Sequence, residues 1–446
     1  MSAFKAYDIR GIYGSDFTRE DARRIGFYLP QLLHTQKILV GRDVRVSSPE
    51  IHAALCEGIT QAGATVYDLG ICTTPMVYWA TARCKFEASV MITASHNPPQ
   101  YNGMKISGPN ALPVGYDTGL QQLEQWIQTP PQPVEAPGSI IPFPKSQEYL
   151  DFLRQSGAYN LEGLRLVIDC SNGMAGLFAR SLFGENHTYL FETPDGTFPH
   201  HEPNPLEEKN LVALKERVVA EQADLGVIFD GDADRVMFVD ETGQFIPPDL
   251  MIALLAHFYL REGKLNEKVL IDIRTSKSVS EYLSELGAEV HIWKVGRAFA
   301  ARKLREIQGL FGGELAGHYY FSDFYYSDSG LLAALRLLHV INSFRHQQGL
   351  KASEIIARIR KYYNSGEINF RIADKEAAMQ RVIRHFTNRQ TPTMTYDFDG
   401  YRIEFEDGWF NIRPSNTEPY LRFLAEARTR EKLDEMIEQT RQLLQE

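Results

Sequence analysis

Short apolar runs alternate with amphipathic stretches in a pattern that occurs three times along the chain. Residues 37–43, 164–169 and 268–273 are rich in Val, Ile and Leu, and each is followed by a polar turn, a helical stretch, a glycine and a second apolar run. This order is typical of a βαβ unit with a buried strand, although unrelated βαβ units also look alike. The pattern predicts three tandem related α/β domains with mixed sheets flanked by helices, and ligand loops at the carboxyl ends of strands.

The pattern changes in two places. Residues 129–145 contain six prolines, which is typical of an extended boundary segment. From residue 365 onward the runs 367–372, 400–405 and 409–413 look like antiparallel strands, and a charged helix closes the chain over about 430–445. This part predicts a smaller C-terminal α+β domain. The predicted domains are 1–140, 141–245, 246–364 and 365–446.

Composition narrows the class of protein. A chain of 446 residues with 43% hydrophobic and 23% charged residues fits an ordinary globular protein of several domains. The net charge of −10 argues against nucleic-acid or membrane-surface partners. The four cysteines form no C-x-x-C pair, the first residues lack a signal-peptide layout, and the apolar stretch 250–260 is too short to span a bilayer. A cytoplasmic location is expected.

Residues 230–235, with the sequence DGDADR, carry the strongest chemical signal. Asp230, Asp232 and Asp234 alternate along the chain, so an extended backbone points all three carboxylates the same way. Three such carboxylates repel one another unless a cation neutralises them, and oxygen ligands favour magnesium, calcium or manganese over zinc. Arg235 beside them indicates an anionic substrate, most simply a phosphate.

This loop has two other interpretations. The spacing resembles a calcium-binding EF-hand, with Glu241 at the twelfth position, but Arg235 stands where that loop needs glycine. The flanking runs 223–229 and 236–239 also predict strands rather than helices. The remaining alternative is a solvated acidic hairpin tip without a metal.

The run 93–98, TASHNP, follows a predicted strand at 88–92. A serine in such a turn can present its hydroxyl to solvent, so Ser95 is a candidate reactive group, with His96 as a hydrogen-bond partner. Lys105 lies shortly beyond. The alternative is a simple serine turn before proline. A hydrolase elbow is poorly supported because the G-x-S-x-G pattern is lacking.

Two later motifs complete the candidate chemistry. In 312–318, GGELAGH, glycines would let the backbone approach a ligand, while Glu314 could accept bonds from sugar hydroxyls and His318 could titrate. In 413–419, RPSNTEP, a guanidinium, hydroxyls and turn N–H groups could hold a phosphate. Each has a plain structural alternative, a glycine-rich connector and a proline-bounded turn.

Together and in this order, the four motifs resemble those of the α-D-phosphohexomutases, most closely the bacterial phosphomannomutase/phosphoglucomutase type. The resemblance covers essentially the whole chain, including residues 4–11. It implies four domains around a central cleft, with the fourth closing over substrate. It also implies a Mg²⁺-dependent enzyme that interconverts hexose 6-phosphate and hexose 1-phosphate, with mannose or glucose as the sugar, through a phosphoserine and a hexose 1,6-bisphosphate.

The resemblance assigns a role to each candidate residue. Ser95 would carry the phosphate, and its phosphoryl oxygen and the three aspartates would hold Mg²⁺. Glu314 would bind the sugar, and either His318 or Lys105 would be the general acid/base. The groups expected around the transferring phosphoryl group are Arg10, His96, Lys105 and Arg235, and those expected to hold the distal phosphate are Arg413, Ser415, Asn416 and Thr417.

Three positions depart from the family pattern. Ala316 replaces a common serine, Arg297 replaces a histidine, and Arg274 stands where a lysine is frequent, so the sugar-reading residues are altered while the catalytic ones are intact. Phosphoglucosamine mutase, a metal-dependent sugar-phosphate phosphatase and a non-enzymatic relic are the alternatives, and a kinase is disfavoured because no nucleotide-binding P-loop is present. The expected partner is a small phosphosugar, and the expected state is a monomer or weak homodimer.

Overall fold

The computed structural model describes residues 3–415 and 420–445. The chain begins with a six-stranded sheet of order β1-β5-β4-β2-β3-β6, in which β4, β2, β3 and β6 pair in parallel and β5 pairs antiparallel with both β4 and β1. Its strands are β1 (Ile9–Ile12), β2 (Lys37–Arg42), β3 (Thr65–Ile71), β4 (Ser89–Ile92), β5 (Tyr101–Ser107) and β6 (Ile140–Pro142), and its helices are α1 (Arg19–Leu32), α2 (Ser48–Gln61), α3 (Thr74–Arg83) and α4 (Leu120–Trp126).

The second sheet has five strands in the order β11-β10-β9-β7-β8. Parallel pairing joins β9, β7 and β8, while β10 and β11 are antiparallel. The elements are β7 (Leu166–Asp169), β8 (Thr188–Leu190), β9 (Leu225–Phe229), β10 (Val236–Asp240) and β11 (Phe245–Ile246), with helices α5 (Ser146–Gln155), α6 (Ala179–Phe183) and α7 (Val212–Glu221).

One helix of this part is shorter than the sequence predicts. The helix expected from about Ala175 is a 3₁₀ turn, Met174–Leu177, followed by the five-residue α6. Gly176 explains the interruption, because glycine is a weak helix former and a Cβ there would lie 1.8 Å from the Glu192 carbonyl oxygen. The backbone packs directly on its neighbour instead of coiling freely.

The third sheet has five strands in the order β13-β12-β14-β15-β16. Again three strands are parallel, β13, β12 and β14, and the last two are antiparallel. The elements are β12 (Lys268–Asp272), β13 (Glu289–Trp293), β14 (Phe311–Gly313), β15 (Tyr319–Phe321) and β16 (Ser327–Asp328), with helices α8 (Pro248–Tyr259), α9 (Lys277–Glu285), α10 (Arg297–Glu306), α11 (Gly330–Gln348) and α12 (Ala352–Ile359).

The three sheets share one connectivity. In each, the first strand of the repeat (β2, β7 or β12) lies between the second and the third, and a fourth strand pairs antiparallel with the third. The connection from third to fourth strand is therefore topologically equivalent in all three. These connections contain Ser95, residues 230–235 and residues 314–318.

The C-terminal part is an antiparallel sheet with helices on it. Its apolar core, which includes Phe410, Phe423 and Leu433, is a cluster separate from those of the other sheets. The elements are β17 (Tyr363–Asn364), β18 (Ile368–Arg371), β19 (Met394–Tyr396), β20 (Tyr401–Glu404), β21 (Gly408–Pro414) and β22 (Tyr420–Ala427), with helices α13 (Lys375–Thr387) and α14 (Arg430–Gln445).

The predicted fold class, three related α/β domains followed by a smaller α+β domain, is confirmed. The domain boundaries drawn from the sequence stay predictions. Within residues 3–415 and 420–445, no helix combines the length and the apolar character needed to cross a membrane.

Candidate active site

The three equivalent connections meet at one place. Ser95 Oγ, from the first, donates a hydrogen bond to Asp230 Oδ2 at 2.8 Å, from the second. Arg235 Nε, at the end of the second, donates to His318 Nε2 at 2.9 Å, from the third. A backbone bridge between Arg235 and His318 continues this contact. The three sheets thus bring these four side chains together. Ser95, Asp230 and His318 are buried, and Arg235 is partly buried.

The three aspartates form a compact cluster. Each offers a carboxylate oxygen within 4.8 Å of the others, and all three residues are buried. Lys105 Nζ, on β5, donates to Asp232 Oδ2 at 2.7 Å and to Asp234 Oδ2 at 2.5 Å. Glu241, the twelfth-position residue of the EF-hand interpretation, instead accepts hydrogen bonds from Ser353. The loop connects two strands, so the calcium-loop alternative does not hold.

The donor set fits a hard divalent cation. Asp232 Oδ1 and Asp234 Oδ1 are buried, and neither has a hydrogen-bond partner within the described chain. Orphaned buried carboxylate oxygens are costly unless something positive binds them. Burial, followed by the charges of Asp234 and Asp232, raises the pKa of Asp230 well above its usual range. All ligands are oxygens, which is the set that Mg²⁺ prefers.

Lys105 keeps its proton in this arrangement. Burial alone would lower the pKa of Lys105, but the charges of Asp232 and Asp234 outweigh it and raise that pKa. Burial also opposes the charge of Asp234, yet Lys105 and His318 lower the pKa of this carboxyl. The lysine therefore acts as a fixed positive charge in the cluster. It is a poor proton acceptor here.

Ser95 is held in an unusual backbone conformation. Its φ is 52°, in the left-handed region that L residues rarely adopt. The buried Arg45 stabilises it, since Arg45 Nη2 donates to the carbonyls of Ser95 and Asn97 at 2.8 and 2.6 Å, and Nη1 donates to those of Pro98 and Tyr101. These bonds fix the loop so that the Ser95 hydroxyl faces Asp230.

Two of the other predicted groups lie around Ser95. His96 Nδ1 lies 3.4 Å from Ser95 Oγ, and burial, with the charges of Arg235 and Arg10, lowers the pKa of His96 well below its usual range. Arg10 Nη1 donates to Asn97 Oδ1 at 2.8 Å, and Nη2 pairs with Asp8 Oδ2 at 2.5 Å. The serine hydroxyl is therefore flanked by a neutral imidazole, with a guanidinium next to that loop.

A chain of side chains fixes His318. Its Nδ1 lies 2.7 Å from Asp328 Oδ2, while Nε2 accepts from Arg235 Nε. This pattern assigns the proton to Nδ1, because Asp328 can only accept when ionised. Burial opposes the charge of Asp328, but the hydrogen bond from His318 lowers its pKa. The acceptor nitrogen of His318 thus faces Arg235.

The predicted sugar residues lie in the third domain. Glu314 is buried; its Oε1 accepts from Tyr320 Oη at 2.6 Å, and its Oε2 lies 4.0 Å from Arg274 Nη2. Burial raises the pKa of Glu314. Arg297 packs over the ring of Tyr78 at 3.7 Å and donates to Asp328 Oδ1 at 3.2 Å. Ala316 is half-buried and lies on the same loop as Glu314.

The glycines before Glu314 serve packing and not the ligand approach that the sequence suggested. Gly312 and Gly313 are residues of β14. A Cβ on Gly312 would lie 2.8 Å from the Leu270 carbonyl oxygen, and one on Gly313 would lie 2.6 Å from Ile252 Cγ1. Both glycines allow close contact within the third domain. The loop proper begins at Glu314.

Part of the predicted phosphate cup is described. Arg413 is buried at the end of β21, with Nη2 3.6 Å from Glu367 Oε2 and Nη1 3.8 Å from Asp399 Oδ1. Burial, and then the positive charge of Arg274, lower the pKa of Arg413. Ser415 follows at the edge of the sheet and is half-buried. Asn416 and Thr417 lie outside the described residues.

The sequence did not point to three supporting residues. Arg45 holds the Ser95 loop, Asp328 orients His318 and Arg297, and Thr74 Oγ1 donates to Asp232 Oδ2 at 2.5 Å. Their contacts join different loops, with separations from 10 residues (Asp328 to His318) to 158 residues (Thr74 to Asp232), so local patterns carry no trace of them. The available signal was position, because Arg45 and Thr74 lie in the segments just after the ends of β2 and β3 in the first βαβ unit.

Four family models match the chain in succession. They are the phosphoglucomutase/phosphomannomutase alpha/beta/alpha domains I, II and III, over residues 1–132, 147–243 and 247–362, and the C-terminal domain of the same family, over residues 367–443. Each α/β model matches one of the three sheets with shared connectivity. The sequential matches agree with the four-domain order.

Curated proteins and solved structures agree with those models. The chain is 37% identical over 436 residues to the phosphohexose mutases of Xanthomonas campestris pv. campestris strain B100, covering 96% of this chain and 95% of the relative. It is 35% identical over 442 residues to a phosphomannomutase of Salmonella montevideo, with 96% and 95% covered. A phosphoglucomutase/phosphomannomutase family protein of Burkholderia thailandensis superposes with a TM-score of 0.88 at 30% identity, covering 99% of this chain and 97% of that one.

The fold and the site define a multidomain α/β enzyme of the phosphotransferase class. The chain belongs to the phosphoglucomutase/phosphomannomutase family. The resemblance that the motifs predicted is therefore confirmed.

Proposed function

We propose that this protein is a phosphohexomutase that interconverts hexose 6-phosphates and hexose 1-phosphates of mannose or glucose. One observation carries the proposal: Ser95 Oγ donates to Asp230, beside two buried aspartate oxygens that have no hydrogen-bond partner within the described chain. A serine donor, a cation site and surrounding arginines are what phosphoryl transfer requires, since it depends on alignment and charge neutralisation.

Asp230, Asp232 and Asp234 would hold Mg²⁺, together with a phosphoryl oxygen on Ser95. When bound, the ion would supply positive charge for the phosphoryl oxygens. Lys105, bonded to Asp232 and Asp234, and Arg235, whose Nε lies 3.8 Å from Asp230 Oδ2, add positive charge beside the cluster, and Arg10 adds more near the serine loop. Phosphate would pass from Ser95 to the free hydroxyl of the sugar, giving a hexose 1,6-bisphosphate. That intermediate would turn around and return its other phosphate to Ser95.

Of the two proton-transfer candidates, the geometry favours His318. Asp328 holds the proton on Nδ1, which leaves Nε2 with a lone pair. Arg235 donates to Nε2 in this structure. If the Arg235 side chain moved onto a phosphoryl group, Nε2 of His318 would be free to accept a proton. Lys105 is disfavoured because its two aspartate partners keep it protonated.

Glu314 would accept bonds from the sugar hydroxyls, with Arg274 4.0 Å from it, and Arg297, which donates to Asp328, would be a further sugar contact. Arg413, Ser415, Asn416 and Thr417 would hold the phosphate that is not reacting. The relatives named phosphomannomutase support mannose as one sugar. Phosphoglucosamine mutase is the sibling alternative, because Ala316 and Arg297 alter the sugar-reading side.

Two measurements test the proposal. The protein is incubated with hexose 1,6-bisphosphate and Ser95 is examined by mass spectrometry, and mannose, glucose and glucosamine 1-phosphates are assayed side by side. We expect phosphate on Ser95 and isomerised sugar, and we expect Ser95→Ala to abolish both while the protein stays folded. The matched control is Ser89→Ala, a buried serine on the strand leading to Ser95 that bonds only within the first domain.

Each other outcome has a definite meaning. Phosphate release without isomerised sugar would replace the mutase with a phosphatase. Substantial turnover by Ser95→Ala, or a Ser95 that never carries phosphate, would refute the phosphoserine mechanism. Turnover of glucosamine 1-phosphate alone would move the assignment to the sibling activity.

A further inference from the structure

A buried arginine of the fourth domain contacts the third domain at an unexpected point. Arg402, on β20, has no exposed surface, and its Nη1 donates to the carbonyls of Ile273 and Thr275 at 2.9 and 2.6 Å. These are the two residues on either side of Arg274. One nitrogen of the fourth domain therefore fixes the backbone of a proposed substrate-binding residue from both sides.

The guanidinium of Arg402 is itself tightly held. Its Nε donates to Glu404 Oε1 at 2.8 Å, and it stacks on the ring of Trp409 at 3.8 Å. Trp409 Nε1 in turn donates to Glu426 Oε2 at 2.6 Å. Since each partner is buried in the fourth domain, Arg402 has little freedom to adjust to a shifted third-domain loop.

Glu426 extends the same contact to the start of helix α9. Its Oε2 accepts from Ser276 Oγ at 2.9 Å and from Lys277 N at 3.0 Å. Ser276 caps this helix, so the carboxylate lies at the positive end of the helix. The segment 273–277 is thus held by the fourth domain on both sides of Arg274, although it follows a strand of the third.

The side chain of Arg274 lies between the two domains' ligand groups. Its Nη2 pairs with Asp272 Oδ2 at 2.8 Å and lies 4.0 Å from Glu314 Oε2. Its charge also acts on Arg413 across the domain boundary. A shift of its backbone would therefore change the distance between the groups proposed for the sugar and for the distal phosphate.

We propose that Arg402 is a positioning residue that ties Arg274 to the fourth domain, so that Arg274 and Arg413 meet a hexose phosphate as one unit. This inference rests on the proposed function, because it assumes that Arg274 contacts the substrate. Arg402 acts through Arg274 and does not touch the substrate itself. Its removal should matter for binding only while Arg274 is present.

A double-mutant cycle tests this dependence. Binding of glucose 6-phosphate and mannose 6-phosphate is measured by calorimetry for the wild type, Arg402→Lys, Arg274→Ala and the double variant. We expect Arg402→Lys to raise Kd about ten-fold when Arg274 is present and less than about two-fold when it is absent. An equal loss in both backgrounds would overturn the inference, as would a wild type that binds neither sugar phosphate.

Arg428→Met is the matched control for general loosening of the interface. Arg428 Nη2 lies 3.6 Å from Glu281 Oε1, so this variant removes an ion pair between the same two domains without releasing the carbonyls beside Arg274 or the carboxylate that holds Arg402. It should leave Kd unchanged. If it raises Kd as much as Arg402→Lys does, the role of Arg402 is only structural and the inference is wrong.

Two further arms keep the test decisive. If circular dichroism shows Arg402→Lys to be unfolded, Glu404→Gln replaces it in the same cycle, because it weakens the support of Arg402 Nε, and the same non-additivity is required. Phosphorylation of Ser95 is followed separately in the wild type. A protein that shows the expected cycle but never carries phosphate on Ser95 loses the mutase proposal and keeps this inference.

Discussion

Removing Lys105 should destabilise the metal-free protein strongly and make it depend on Mg²⁺. In Lys105→Met the side chain keeps much of its volume but loses bonds to Asp232 and Asp234 at 2.7 and 2.5 Å, in a fully buried cluster. Breaking a buried ion pair from one side costs about 3–5 kcal/mol of unfolding free energy. For domains of this size the first unfolding midpoint should fall by an amount on the order of 10 °C.

The assay is a thermal melt of wild type and variant, each in EDTA and in excess Mg²⁺. Because Asp232 Oδ1 and Asp234 Oδ1 have no hydrogen-bond partner within the described chain, a bound cation can supply the charge that the lysine no longer provides. Ligand that binds only the folded state raises its stability. The gap between variant and wild type should therefore be wide in EDTA and narrow in Mg²⁺.

Lys209→Met is the matched control. Lys209 also pairs with two carboxylates, Glu202 and Glu207, both at 2.9 Å, but its side chain is 62% exposed. An exposed pair contributes little, so this midpoint should not move. Equal shifts in the two variants would refute the argument from burial, and a gap that Mg²⁺ leaves unchanged would refute the cation site.

Three further predictions concern separate parts of the molecule. Gly231→Ala should lower kcat about 100-fold, because a Cβ there would lie 2.4 Å from the Ser95 carbonyl oxygen and displace the serine; steady-state kinetics checks this, and normal turnover would contradict it. Burial, with the charge of Glu426, raises the pKa of Asp249 to about 7, so this group stabilises the fold below pH 3.8 and loses that contribution as pH rises to about 7. Asp249→Asn should flatten the fall of the melting midpoint over that pH range, and an unchanged slope would exclude the assignment. Ala316→Ser should lower the KM for a hexose phosphate about five-fold by restoring a hydroxyl donor, and an unchanged KM would place Ala316 away from the sugar.

Much of the architecture was predictable because the relevant patterns are local. The strands at Lys37–Arg42, Leu166–Asp169 and Lys268–Asp272 follow directly from buried apolar runs, and the closing helix, Arg430–Gln445, was predicted within its observed bounds. The clustering of Asp230, Asp232 and Asp234 was also predictable, since their alternation along the chain points the three carboxylates the same way. The fold class follows from the order of such elements.

The supporting contacts were not predictable for a physical reason. Arg45, Asp328 and Arg402 are buried charges whose partners lie in other loops or other domains, and burial of a charge cannot be read from composition. The sequence suggested that Gly312 and Gly313 belong to a ligand loop, whereas the structure places them in a strand with close packing. The two kinds of glycine have the same local appearance in a sequence. Tertiary packing decided each of these cases.

The three α/β domains have the same strand arrangement but differ in the residues of one equivalent loop. Each loop lies between the third and fourth strands, yet one carries Ser95, one the three clustered aspartates and one Glu314 and His318. Because the flanking antiparallel pairs set the register, a loop can be exchanged while the hydrogen-bond ladder beneath it stays the same. The same strand arrangement therefore supports three different loops. If the proposed roles hold, substitutions confined to the third loop should change the preferred sugar while Ser95 and the three aspartates stay in place.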